Sequence, residues 1–158
     1  MSEKELKKEL LKYRDTLSIT GLGVLAFGLW SIIRMFLSLA LYDDYLGLST
    51  IETAGKIFFY IVIAFLVIMD IILRLKVGLD AYKEGKRIKK GMFYIVIAAL
   101  IFLPSSILSI ISGAEALRTD VIDSAVSLIV EATSLITTIE MIVSAVMVKK
   151  LSKELGEN

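Results

Sequence analysis

Four ionisable side chains, Arg34, Asp70, Glu131 and Glu140, stand inside long apolar runs, and they are the residues whose type and setting point to chemistry. In hydrocarbon each costs at least about 2.5–3.5 kcal/mol near a helix centre. Something must compensate them. An Arg beside a carboxylate can form an ion pair or bind an anion, and two carboxylates forced together can share a proton or a cation. Placing each residue from the middle of its run, at a rise of 1.5 Å per residue, puts Arg34 roughly 5 Å and Glu131 about 8 Å toward the same outer side. An Arg34–Glu131 ion pair is the expectation, with anion binding by Arg34 as the competing reading. Asp70 and Arg74 are four residues apart and can pair on one helix face near the headgroups, where a long Arg side chain snorkels.

Glu140 has no such neighbour in sequence. It lies in the same leaflet as Asp70, so Asp70, Glu140, Thr137 and Ser144 form the candidate intramembrane polar site, with a protonated Glu140 bonded to a hydroxyl as the plainer alternative. Nine residues separate Glu131 from Glu140, which sets them roughly 180° apart around a helix. One stripe then holds Ser124, Ser127, Glu131, Ser134 and Thr138; the other holds Thr133, Thr137, Glu140 and Ser144. A helix polar on two sides needs cover on both, and a second copy of the chain would supply it.

Other chemistries lack their residues. The 158-residue chain has no Cys and no His, so thiolate nucleophiles, disulfides, thiolate metal sites and the commonest general base are excluded. There is no G-x-S-x-G, H-E-x-x-H or phosphate-binding Gly loop, and no cofactor is expected. A net charge of +1 gives no bulk basic field for nucleic acid.

The elements that would position these groups are membrane helices. Hydrophobic residues make up 56% of the chain, and the mean hydropathy is +0.77. Four runs are long enough to cross a bilayer: residues 17–42, 54–73, 92–112 and 123–148. They predict an all-α, four-transmembrane-helix bundle over 17–148, with a basic connector at 74–91 and a charged tail at 149–158. Residues 1–16, with Leu6, Leu10, Tyr13 and Leu17 on one face and a Ser2–Glu5 capping box, predict a short amphipathic helix ahead of it. That helix serves as a surface anchor or as an extension of the first span. Gly78 and Gly85 are the expected breaks in the connector. Pro104, the only proline, predicts a kink whose freed carbonyls neighbouring hydroxyls can meet.

Fifteen Lys and Arg residues fall in the N-terminal segment, the connector and the tail, against Lys56 and Arg118 on the opposite side. Both termini are therefore expected in the cytoplasm. The composition suggests a prokaryotic inner (plasma) membrane. The expected function is that of a non-enzymatic subunit, assembly factor or regulator, working through helix association in a homo-oligomer, with the bilayer and a protein at the cytoplasmic basic surface as partners. The alternative is an oligomeric proton- or cation-coupled transporter or channel that uses the intramembrane carboxylates.

Overall fold

The structure, a computed structural model, describes residues 2–41, 53–88, 91, 93–116 and 121–156. Helix α1 runs Glu3–Leu41 and α2 runs Thr53–Gly85; a third rod is built of α3 (Phe93–Ile97), a π-helical segment (Ala98–Phe102) and α4 (Leu103–Ala116); α5 runs Val121–Glu154. The described residues hold no strand, and four helices are long and apolar enough to cross a membrane. The outer loops lie outside the described residues.

Helix α1 begins with the expected box: the Ser2 amide donates to Glu5 Oε2 at 2.7 Å and the Glu5 amide to Ser2 Oγ at 3.4 Å. It does not stop at residue 16. No breaker separates the amphipathic stretch from the apolar run, so one helix of 39 residues carries both. Leu10 and Leu17 are buried in the core, with Leu6 and Tyr13 packed against it. The amphipathic face thus turns into the protein itself.

Gly78 and Gly85 are not breaks either. Each sits inside α2 where α1 comes too close for a side chain. A Cβ on Gly78 would lie 2.7 Å from Gly21 O, one on Gly21 would lie 2.8 Å from Gly78 O, and one on Gly85 would meet Ser18 Oγ and Arg14 O. Small residues at seven-residue intervals on both helices let the two backbones touch, and that contact outweighs glycine's poor helix propensity. Helix α2 closes just beyond Gly85: the Ile88 amide donates to Lys83 O at 2.8 Å and the Arg87 amide to Glu84 O at 3.0 Å. Arg87 takes the left-handed position of this cap, at φ 62°.

Helices α2 and α5 occupy opposite flanks of α1. Gly21 faces α2 while Gly23, whose added Cβ would lie 2.8 Å from Thr137 Cγ2, faces α5; two residues turn a helix by about 200°. The third rod starts against α2 and leans onto α5. Pro104 has no amide to give, and the rod widens immediately before it into the π segment, where the Leu103 amide donates to Ala98 O. Ser105 Oγ donates to Phe102 O at 3.0 Å, which is not the carbonyl one turn before Pro104 that the missing amide leaves free.

Candidate functional site

Arg74 Nε donates to Asp70 Oδ2 at 2.8 Å, one turn apart on α2. The guanidinium also lies 5.2 Å from the centre of the Phe102 ring. On the α1 side Gly28 makes room for it, since a Cβ there would lie 2.6 Å from Arg74 Cδ. The Arg74 side chain is accordingly 17% exposed against 40% for Asp70. Arg74 therefore does more than snorkel: it fills the joint between α1, α2 and the π segment.

The other members of the predicted polar site do not join Asp70. Ser144 is buried, Thr137 is half-buried against α1 with its hydroxyl donating to Thr133 O at 2.8 Å, and Glu140 is exposed on the outside of α5. Asp70 lies one turn beyond Arg74, which meets Gly28 of α1, whereas Glu140 lies one turn beyond Thr137, which meets Gly23, on the opposite flank and in the opposite direction along α1, so the structure does not bring the two carboxylates into one cavity. The expected Arg34–Glu131 pair involves a side chain, Arg34, outside the described residues, as is the side chain of Ser124. Glu131 itself is half-buried, and α1 and α5 do pack along each other. Within the first stripe Ser127, Ser134 and Thr138 are buried. The second is covered by α1 at Thr137, by the bundle at Ser144, and open at Thr133 and Glu140.

The strongest polar concentration lies elsewhere, at the end of the bundle where α1 begins and α2 and α5 finish. Arg14 on α1, Glu84 on α2, Tyr94 on α3 and Lys149 on α5 meet there, next to Asp80. Glu84 is 6% exposed and Tyr94 2%. Arg14 Nη2 donates to Ser152 Oγ at 3.3 Å. Glu84 Oε2, the Tyr94 hydroxyl and Lys149 Nζ are buried close to one another, yet none closes to a hydrogen bond of ordinary length. Burial raises the Glu84 carboxyl above its usual 4.5, against the opposing pull of the Tyr94 hydroxyl, Lys149, the Gly91 amide and Arg14. Burial lowers Lys149 below 10.5, opposed by Glu84. This junction ties all four helical rods together through buried polar groups.

Sequence reasoning passed over this junction because its residues were counted only as cytoplasmic charges. The available signal was positional. Arg14 falls between Leu10 and Leu17, Glu84 follows Val77 and Ala81, and Lys149 and Ser152 flank Leu151, all on stripes whose other members are buried.

Fold and site together define an all-helical protein of four long apolar rods, closed at one end by a buried ionic junction, with the composition of a membrane bundle. No protein-family model, no curated protein and no solved structure matches the chain.

Proposed function

We propose that the chain is a small multi-pass protein of a prokaryotic cytoplasmic membrane that acts through helix association, as a subunit, assembly factor or regulator, and that it does so as a homo-oligomer rather than as an enzyme. One observation carries this reading. Ile57, Phe58, Phe59, Tyr60, Ile61 and Val62 are consecutive on α2 and all exposed. Six consecutive residues circle a helix more than once and a half, so no face of this stretch is fully covered within a single copy; Phe59 at 39% and Val62 at 38% are the least exposed, and Phe58 at 69% and Ile61 at 62% the most. Lipid can cover one face of a bundled helix. A helix left with no fully covered face next to its own bundle is suited to packing against helices of another copy. The carrier reading gains nothing from Asp70 and Glu140, which stand on opposite flanks of α1.

The natural absence of Cys makes the test clean. Phe58→Cys and Ile61→Cys, oxidised separately in native membranes, are expected to give disulfide-linked dimers on non-reducing gels. Monomers from both, together with a monomer mass in mild detergent, would mean that lipid alone covers this helix.

A further inference from the structure

We propose that the outward face of the α2–α3 elbow is a binding site for anionic phospholipid headgroups of the cytoplasmic leaflet. Three of the four rods agree on where hydrocarbon ends at this end of the bundle. The apolar run of α1 begins at Leu17, that of α5 finishes at Val148, and that of the third rod begins at Phe93. The contact of Gly85 with Ser18 and Arg14, and the bond from Arg14 to Ser152, bring these levels together. Helix α2 alone disagrees. Its apolar run ends at residue 73, so the twelve residues from Arg74 to Gly85, about 18 Å of helix, carry charge beside the apolar stretches of its neighbours.

On the side of α2 away from the bundle this charge is basic and open. Lys76, Lys83, Lys86 and Arg87 are all exposed. Lys76 Nζ lies 5.2 Å from the centre of the Phe93 ring. Phe93 begins the next helix, so the ammonium bends toward the elbow while the ring reaches up to it. Next to them Ile88 is 71% exposed and Phe93 65%. Two bare apolar side chains framed by cations match an interface where acyl chains meet anionic headgroups. A Lys76 beside hydrocarbon is costly even with the Phe93 ring against it and Asp80 one turn on, whereas a lipid phosphate drawn up beside α2 offsets the surplus of cations and lets the leaflet thin locally around the short apolar run. The occupant is thus a phospholipid of net negative charge. This inference rests on the membrane placement proposed above and not on oligomerisation.

The full chain would be reconstituted in phosphatidylcholine vesicles, and the enrichment of spin-labelled phosphatidylglycerol over spin-labelled phosphatidylcholine at the protein surface measured. Several-fold enrichment of phosphatidylglycerol is expected, falling toward equal partition in each of Lys76→Gln and Lys83→Gln, since a cation near the surface contributes about 1 kcal/mol. Lys4→Gln with Lys153→Gln, which removes two cations remote from the elbow, is expected to leave it unchanged, as is inorganic phosphate added at constant ionic strength. Equal enrichment of the two lipids around the unsubstituted protein overturns the site without reference to any variant. An equal loss in the remote pair would mean a diffuse basic surface, and displacement by inorganic phosphate a site for free anions; either overturns it too. A monomeric protein that still enriches phosphatidylglycerol would remove the association reading and leave this one standing.

Discussion

Among the described residues, Glu84 is the acid that its surroundings push toward its neutral form while two cations and a phenol stand close by. Burial is the largest influence and raises its pKa, so the folded state holds the proton more firmly than the unfolded chain does. Stability tied to this group is therefore fully present below about pH 4.5 and is lost as pH rises through the raised value. Glu84→Gln carries the neutral shape at every pH. Thermal unfolding in detergent is expected to give similar midpoints for the two proteins at the acid end and a widening advantage for Glu84→Gln as pH increases. A gap widening the other way would show that Lys149 and Arg14 hold the carboxylate ionised, with Tyr94 and Asp80 as bystanders. This residue was not legible in the sequence, because a Glu among seven basic connector residues reads as a solvated charge until α2 is known to continue to Gly85. Asp70 with Arg74 was legible, because four-residue spacing on a helix fixes the geometry without reference to any other element.

At the scale of elements, the contact between α1 and α2 depends on what is missing from Gly21, Gly78 and Gly85. Ser18 Oγ donates to Tyr82 O across the same seam at 3.5 Å, a bond that only close backbones permit. Gly78→Ala would force a methyl group against the Gly21 carbonyl and the Leu25 side chain, and backbone atoms cannot turn aside. The gain in helix propensity, about 1 kcal/mol, acts in the opposite direction. The expected result is a net loss of about 1–3 kcal/mol in denaturant titrations in mixed micelles, typical of overpacking. Gly91→Ala, with nothing within 4 Å of the added carbon, serves as the neutral comparison. Equal stability of the two variants would show that the seam is loose. Glycine is ambiguous in sequence for a physical reason: the lack of Cβ that breaks a solvated helix also admits a neighbouring helix. The π segment was likewise visible only as Pro104, because proline says that a bond is lost and not how the preceding turn redistributes the rest.

Across the whole molecule, burial is concentrated where α1 begins and α2 and α5 end. Leu10, Leu17, Val77, Ala81, Tyr94, Ala145, Val148 and Leu151 form one cluster there, with Arg14 and Glu84 among them. The opposite half of α2 stands bare. Number and order of the rods could be read from apolar run lengths alone, since a bilayer sets about 20 residues per crossing, whereas α1, α2 and α5 extend beyond those runs. Their neighbours could not, because all four runs are rich in the same Leu, Ile and Val. Which helix lies between which others is decided by a few small residues such as Gly21 and Gly23. Antiparallel packing of α1 with α2 and with α5 puts the start of α1 and the ends of α2 and α5 together, and with them the basic residues of those three segments, such as Lys4, Arg14, Lys83, Lys86, Lys149 and Lys153. The charge rule predicts that this end faces the cytoplasm. In a chain without Cys, single substitutions Lys4→Cys, Lys86→Cys and Lys153→Cys are then expected to resist a membrane-impermeant maleimide applied outside intact cells and to react after lysis. Thr53→Cys, at the far end of α2, is expected to react in intact cells. Labelling of Lys86→Cys from outside, with Lys4→Cys protected, would place the two ends of one packed pair on opposite sides of the membrane. That outcome is incompatible with the seam in which Gly85 meets Ser18, so it would overturn the arrangement of the rods together with their orientation.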